Sequence, residues 1–280
     1  MKTYKIPLIV GGLLAAASVA ASAASVTFSS AEGWTDGNSE GQTGGGLGVI
    51  NSQDFGSSDA FQINTTTGTL SAPSQQFLRA TFGVDDGMGT PVAFDIPEGG
   101  SATVSFSFGF DGNTAAGNTT NNRILGEFGV INTPGNPVGG SGDGAGTTGL
   151  GIQVVSNGTN YAIDPGGFNG GQGQQDTGVT VLSDLTVSLV YSEASATSTL
   201  LEVFVNGGAT PIYTETQTNG ATAGNIAAWV NTSQGLRGGA NPNPADTFLR
   251  IDSLEIDVVP EPSTALLGLL GLGLVARRRR

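Results

Sequence analysis

Apolar and polar residues alternate along several short segments of the chain, and this period of two predicts β-strands. The clearest segment spans residues 103–110, where one set of alternating positions is entirely apolar: Val104, Phe106, Phe108 and Phe110. Since successive side chains of a strand point to opposite faces, we expect one face to be buried and the other wet. The alternation recurs in residues 185–191 and 201–205.

Two Asn-Gly dipeptides predict tight hairpins. The first contains Asn157 and joins residues 152–155 to 161–163, and the second contains Asn206 and joins residues 201–205 to 211–214. Asn-Gly accommodates the positive φ angles of a type I′ turn, which is the turn that matches the twist of paired strands.

Further strands are predicted near residues 25–30, 60–64, 76–83, 124–131, 179–182, 227–231 and 247–258. In the last of these, Leu249 and Ile251 share one phase, whereas Leu254, Ile256 and Val258 share the other. A change of phase within one strand predicts a β-bulge, here near Ser253.

About a dozen strands without helices between them favour an all-β fold, a two-sheet antiparallel β-sandwich of the jelly-roll type. Glycine-rich segments at residues 33–48, 134–151, 165–175 and 235–244 are interpreted as loops, because strand signals continue on both sides. The sequence therefore predicts one β-sandwich domain, residues 24–258, between two terminal segments of different character.

The first 23 residues predict a secretory signal peptide. Lys2 and Lys5 precede an apolar stretch at residues 6–20, and Ala21 and Ala23 follow as small residues at the positions that a signal peptidase inspects. We place the cut after Ala23. No cysteine follows the apolar stretch, which excludes a lipid-anchored lipoprotein.

The C-terminal end predicts a short membrane helix. Proline is accepted in the first turn of a helix, so the helix is expected to begin beside Pro262 and to cover residues 263–276. At a rise of ~1.5 Å per residue this span is about 21 Å, shorter than the ~30 Å hydrocarbon core of a bilayer. Basic residues stay cytoplasmic and orient the helix; here they are Arg277, Arg278, Arg279 and Arg280.

This tail, residues 259–280, resembles the PEP-CTERM sorting signal of Gram-negative bacteria. Pro260, Glu261 and Pro262 match its motif position by position, and the apolar helix and arginine cluster follow in the same order. The resemblance implies transient association with the inner membrane and processing by an exosortase, a membrane protease-transpeptidase. It also implies a final location at the cell surface or in the exopolysaccharide matrix. An ordinary C-terminal membrane anchor is the alternative.

The body resembles concanavalin-like and laminin-G-like jelly rolls in the order of its strands. The resemblance is carried by the Leu-Glu-Val-Phe-Val-Asn-Gly hairpin at residues 201–207 and by the closing strand at residues 251–256. It implies a sandwich fold of a kind that often binds glycans.

Charge and composition remove several classes of function. The segment between the two apolar ends holds four arginines, no lysine and 23 acidic residues, a net charge of −19. Such a surface repels phosphate backbones, so nucleic acid is excluded as a partner. The chain has no His and no Cys, which excludes Ser-His-Asp and Cys-His machinery, the usual zinc sites and haem ligation.

Three candidate sites remain, each with an ordinary structural explanation. The segment Glu255-Ile256-Asp257-Val258 resembles the start of the catalytic strand of laminarinase-like glycosidases, but the solvent face of an edge strand explains it better and we reject it. Calcium is the one cofactor considered, on loops that contain Asp85, Asp86, Asp111 and Asp143, although Asp-Gly is also common turn chemistry. A sugar-binding platform would need aromatic residues, and the candidates are Trp34, Trp229, Tyr161 and Tyr213.

We therefore expect an exported surface or extracellular-matrix protein with a non-enzymatic structural or adhesive role. The alternatives are a secreted glycan-binding module and a glycoside hydrolase or lyase with unrecognised carboxylates. No catalytic, cofactor-binding or metal-binding residue is assigned. The expected partners are signal peptidase and exosortase during export, together with polysaccharide.

Overall fold

A computed structural model describes residues 22–54, 60–72, 78–94, 99–111, 123–131, 149–164, 173–181, 183–195, 198–217, 226–231 and 248–259. All of them belong to one compact unit, Ala21–Glu261. Among these residues no helix has the length and apolar character needed to cross a bilayer. The predicted signal peptide up to Ala21 and the predicted membrane helix at residues 263–276 lie outside the described residues.

The described residues form eighteen strands and one short 3-10 helix, Ser30–Glu32. In chain order the strands are β1 (Ser22–Val26), β2 (Gly37–Asn38), β3 (Thr43–Gly44), β4 (Leu47–Asp54), β5 (Gln62–Asn64), β6 (Thr69–Ser71), β7 (Leu78–Asp85), β8 (Pro91–Val92), β9 (Ser101–Asp111), β10 (Arg123–Ile131), β11 (Gly149–Ser156), β12 (Asn160–Asp164), β13 (Gln175–Thr180), β14 (Leu185–Ser195), β15 (Ser198–Val205), β16 (Tyr213–Gln217), β17 (Ala227–Asn231) and β18 (Phe248–Val259).

These strands build two antiparallel sheets. The first sheet has the order β16-β15-β14-β9-β18-β6-β5-β2, with β1 also paired to β18. The second sheet has the order β13-β12-β11-β10-β17-β7-β4-β3, with β8 paired to β7. The prediction of an all-β, two-sheet antiparallel sandwich is confirmed.

The core lies between the inner faces of the two sheets. Val104, Phe106 and Phe108 of β9 are fully buried, as their alternation predicts. Phe108 stacks on Phe128 of the second sheet with ring centroids 4.6 Å apart, and Phe106 packs against the same ring at 5.1 Å. Burying a phenylalanine side chain contributes about 1.5–3 kcal/mol, so this cluster is a main source of attraction between the sheets.

The last strand, β18, runs through the middle of the first sheet. One of its sides pairs with β9 from Phe248 to Val259, and the other is shared by β6 and β1. The register shifts between Ile251 and Ser253. This shift confirms the predicted bulge, and it allows Ile251 and Leu254 to be buried on the same side of the sheet.

The second Asn-Gly turn has the predicted backbone, but the hairpin is not tight, since β15 and β16 pair only as far as Val203 and Tyr213. Asn206 and Gly207 have φ angles of 49° and 69°, and the Gly208 N–H donates to the Val205 carbonyl at 2.9 Å. Two positive φ angles in sequence define a type I′ turn. Pairing resumes with the Ile212 N–H donating to Val203.

The first hairpin is confirmed, but its turn differs from the prediction. Gly158 has a φ of 98°, whereas Asn157 keeps a negative φ. The Asn157 side chain instead accepts hydrogen bonds from the backbone N–H groups of Thr159 and Asn160, at 3.1 and 2.8 Å. The asparagine therefore acts through its side chain, in an Asx turn.

The glycine-rich segment at residues 33–48 is more ordered than a loop. It contains β2, β3 and the start of β4. Gly44 shows why the segment is interpreted as a loop from its sequence. A Cβ built on it would lie 2.5 Å from the Trp34 indole nitrogen, so only glycine leaves room for this ring against β3. A glycine that is needed for such a contact gives no strand signal in the local sequence.

The described residues include three tyrosines, and all three hydroxyl groups are held inside the fold. Tyr161 donates to the carbonyls of Val181 and Ser183, and Tyr191 donates to the carbonyl of Leu150 across the sandwich at 3.0 Å. Tyr213 donates to the Glu215 carboxylate. Burial raises the pKa of all three phenols, and a neighbouring carboxylate adds to the effect at Tyr161 and Tyr213.

Alkaline titration checks these pKa shifts. An unfolded tyrosine ionises near pH ~10, so the stability that the buried phenols provide is complete below that pH and is lost as the pH rises above it. We expect tyrosinate absorbance of the exported protein to appear together with unfolding, as followed by far-ultraviolet circular dichroism. Tyrosinate formed near pH ~10 in a protein that remains folded would contradict the burial.

Candidate functional site

Most of the residues assigned to sorting lie outside the described part of the chain: Ala21, Pro260, Glu261, Pro262, Arg277, Arg278, Arg279 and Arg280. Ala23 is described, is exposed, and lies in β1 opposite Asp257. The predicted signal-peptidase bond after Ala23 thus falls inside a paired strand. Val259 is the last described residue.

All four aromatic candidates for a sugar platform are buried. Trp34, Tyr161 and Tyr213 are each at most 2% exposed, and Trp229, which packs with Ile131 and Ala227, is 5% exposed. Trp34 packs against Phe28 with ring centroids 5.4 Å apart. A stacking platform needs an accessible ring face, and none of these rings offers one in this conformation.

The calcium candidates that can be described are turn residues. Asp85 Oδ1 accepts from the backbone N–H groups of Gly87 and Gly89, and Asp86 Oδ1 accepts from those of Met88 and Thr90. The Asp111 side chain and Asp143 lie outside the described residues. Within the described part, no three acidic side chains cluster closely enough to hold a metal ion.

The Glu255–Asp257 segment faces solvent, but the reason given from the sequence is wrong. It lies in β18, which is paired on both sides in the middle of the first sheet and is not an edge strand. Glu255 is exposed and Asp257 is half-buried, whereas Ile256 and Val258 point into the core. Successive side chains of a strand point to opposite faces of the sheet, and this alternation alone places Glu255 and Asp257 on the outer face.

The structure brings together a set of polar side chains that sequence reasoning missed. They lie opposite one another on β12, β11, β10, β17 and β7 of the second sheet, and we call them the polar row: Asp164, Gln153, Glu127, Asn231 and Arg79. Their sequence neighbours, such as Phe128 and Val230, point into the core. The polar row therefore lies on the outer face of the second sheet.

Glu127 is at the centre of the polar row. It is fully buried, its Oε1 accepts from Gln153 Nε2 at 2.8 Å, and its Oε2 accepts from Asn231 Nδ2 at 2.5 Å. Arg79, also buried, lies opposite Asn231 and places a positive charge in the same row. A buried polar group is tolerated when it is hydrogen-bonded, and both carboxylate oxygens of Glu127 accept from amide groups.

A second row lies beside the first on the same outer face. Trp229 is opposite Gly129 on one side and Thr81 on the other, and Asn51 continues the row on β4. A Cβ on Gly129 would lie 2.8 Å from the Trp229 indole nitrogen, so the ring lies over a strand that has no side chain there. Among the described residues, the side-chain oxygens of Asn51 and Asn231 have no hydrogen-bond partner.

The two carboxyl groups of the polar row do not form an open pair. Glycosidases need two carboxyl groups about 5–10 Å apart. Glu127 and Asp164 lie two strands apart, roughly 10 Å between Cα atoms, but Gln153 lies between them and its amide is bonded to Glu127. The one sequence signal for this site is an acid inside an otherwise apolar predicted strand, residues 124–131.

Replacing Glu127 tests the hydrogen bonds of the polar row. In Glu127→Gln an amide NH₂ faces another amide donor, and an unsatisfied buried group costs about 1–3 kcal/mol of unfolding free energy. The matched control is Glu255→Gln on the outer face of the first sheet, which should change stability by less than about 0.5 kcal/mol. Urea unfolding measures both, and equal losses would contradict the assigned role of Glu127.

Comparison with solved structures finds glycan-related proteins. The chain is similar to an endo-1,3-beta-glucanase from Streptomyces sioyaensis at 15% identity, covering 80% of this chain and 88% of that one, with a TM-score of 0.48. It is similar to alginate lyase Aly36B at 14% identity, covering 84% and 96%, with a TM-score of 0.46. For basic winged bean lectin with Tn-antigen the values are 12%, 85%, 99% and 0.47. Similarity at this level transfers no activity to the chain.

No curated protein matches the chain. A family does match its C-terminal end: the PEP-CTERM protein-sorting motif, over residues 258–280. The match confirms the resemblance seen in the sequence and begins one residue earlier. Residues 258–280 are a PEP-CTERM protein-sorting motif, which marks an exported protein with a C-terminal membrane-anchor sorting signal and implies processing by an exosortase.

Proposed function

We propose that this chain is a surface or extracellular-matrix protein whose body has a non-enzymatic structural or adhesive role. The observation that carries the proposal is that a sorting motif is attached directly to a strand of a β-sandwich. In this sandwich the aromatic side chains that were considered for a functional site are buried, and so is Glu127. Trp34, Tyr161, Tyr213 and Glu127 all point into packed or hydrogen-bonded surroundings. Such groups stabilise a fold and are poorly placed to meet a substrate.

The charge of the body supports the same proposal. With a net charge of −19 between the apolar ends, copies of the body repel one another and remain soluble after release from the membrane. The proposed location, at the cell surface or in the exopolysaccharide, is supported by the sorting motif.

Glycan binding is the second candidate function. Groups on the outer face of the second sheet have the chemistry for it, although Trp229, Asn51 and Asn231 are at most 7% exposed in this conformation. Trp229 over Gly129, with the partner-free oxygens of Asn51 and Asn231 nearby, combines an apolar ring with amide acceptors. Sugar sites use this combination because a pyranose has an apolar face and a rim of hydroxyl groups. An uncharged or hydroxyl-rich polysaccharide fits these groups.

Deleting residues 260–262 tests the sorting step. The precursor should stay in the inner membrane with Arg277 to Arg280 still attached, because the processing enzyme has lost its motif. Cell fractionation and mass spectrometry of the C-terminus, in a host that carries the exosortase, make the measurement. As a control, removal of residues 259–280 should release the body as a soluble periplasmic protein. Wild-type surface protein that retains its four arginines would identify the tail as a plain anchor.

Binding and turnover of matrix polysaccharide separate the candidate functions. If the outer face of the second sheet binds glycan, Asn51→Ala should weaken binding by about tenfold while leaving stability nearly unchanged, because the Asn51 oxygen has no protein partner to lose. Phe204→Ala, on the outer face of the first sheet, is the matched control and should bind as wild type does.

Calorimetric titration of the exported protein with polysaccharide from the producing cells measures binding, and chain-end assays measure cleavage. If neither the wild-type protein nor the Phe204→Ala control binds polysaccharide, the structural role is the sole remaining candidate. New reducing ends or unsaturated sugars that disappear in Glu127→Gln would contradict the non-enzymatic proposal.

A further inference from the structure

The sorting motif and the folded body share residues. The motif begins at residue 258, whereas β18 continues to Val259. Val258 is 8% exposed, belongs to the core, and lies between Ala102 of β9 and Ser22 of β1. Val259 is opposite Ser101. No linker therefore separates the sheet from Pro260.

The residues just before the motif are held on both sides. From Leu254 to Ile256 the backbone of β18 pairs with β9 on one side and with residues 24–26 of β1 on the other. Asp257 and Val258 pair with β9, and their partners on the other side, Ala23 and Ser22, belong to the predicted signal peptide. In a strand paired on both sides, the N–H and C=O groups of successive residues are used by the two neighbours in turn. This segment cannot offer those groups to an enzyme while it stays in the sheet.

The sequence leaves little chain between β18 and the predicted membrane helix. Only residues 260–262 separate Val259 from that helix, which is predicted at residues 263–276. The residues that an enzyme meets directly upstream of Pro260 are therefore those of β18 itself.

We propose that pairing of the end of β18 and processing by the exosortase compete for the same residues. The inference rests on the exosortase processing that the motif implies. An enzyme that recognises extended substrate pairs with its backbone, so residues upstream of the motif must leave β9 and β1 before they enter a cleft. When such opening is fast and reversible, the rate of cleavage follows the population of the open form.

A flexible linker should remove this competition. The variant carries six Gly and Ser residues between Val259 and Pro260, and the whole precursor is accumulated and folded before a separately inducible exosortase is expressed. Because the linker supplies free upstream residues, loss of the C-terminal arginines should be about tenfold faster than in wild type. Pulse–chase labelling with mass spectrometry of the C-terminus gives the rate.

The matched control carries the same six residues between Gly87 and Met88, in an exposed turn between β7 and β8 of the second sheet. This insertion lengthens the chain equally but leaves the end of β18 unchanged. Its processing rate should equal that of wild type.

A reversible lock gives the opposite test. Thr103 and Asp257 lie opposite each other on β9 and β18, outside the matched motif. Opposed residues of antiparallel strands have Cα atoms about 4.5–5.5 Å apart, which suits a disulfide. Since the chain has no other cysteine, the double variant Thr103→Cys/Asp257→Cys should form one bond that slows processing several-fold, and reductant should restore the rate.

The outcomes separate the inference from the sorting on which it rests. If expression of the exosortase does not lead to processing of the wild-type precursor, both the sorting step and the inference are overturned. Wild type that is processed at the same rate as the linker variant overturns the inference alone. Acceleration by the linker without slowing by the disulfide shows that reach toward the membrane is limiting, and also overturns it.

Discussion

The structure depends on the position of its last strand. β18 pairs with β9 along its whole length and with β6 and β1 on the other side, so the first sheet is incomplete until the chain has been exported as far as Val259. Partners this distant in sequence must close long loops before they gain contacts, which makes such pairing slow. The N-terminal strand β1 also needs β18, because its described pairing is with that strand. Completion of the fold is therefore tied to the end of the chain that carries the sorting motif.

The two sheets use their faces differently, although both contribute to one core. The outer face of the first sheet shows short hydroxyl side chains that bond across strands, as Ser105 does to Ser188 at 2.9 Å. The centre of the outer face of the second sheet is buried and carries the polar row around Glu127. Buried polar groups stabilise little unless all of them are satisfied, but they penalise any other register of the strands. The polar row therefore helps to fix the register of β11, β10, β17 and β7.

The functional conclusion follows from where the versatile side chains lie. All four aromatic residues considered for a platform are buried, and the two acids of the polar row, Glu127 and Asp164, are separated by Gln153. What distinguishes the chain is the sorting motif, and it begins inside a strand of the folded body. The proposed structural or adhesive role is consistent with this distribution of chemistry.

The sequence by itself determined the features that depend on neighbouring residues. The alternation in β9 and β14, the phase change at Ser253 and the Asn206-Gly207 turn are local, because side-chain period and backbone φ act within a few residues. The sorting motif is also local, since an enzyme reads it as a linear segment.

Only the tertiary structure decided which strands are neighbours, and with them the polar row. Glu127 is bonded to Gln153, 26 residues away, and to Asn231, 104 residues away, so their meeting depends on the register of three strands. For the same reason the sequence did not reveal that Gly44 lies in a strand, at a position where the ring of Trp34 leaves no room for a Cβ. Nor did it reveal that β18 lies in the middle of the first sheet. Periodicity tells which side of a strand is apolar, but the partner that covers each side is chosen by packing of the whole chain.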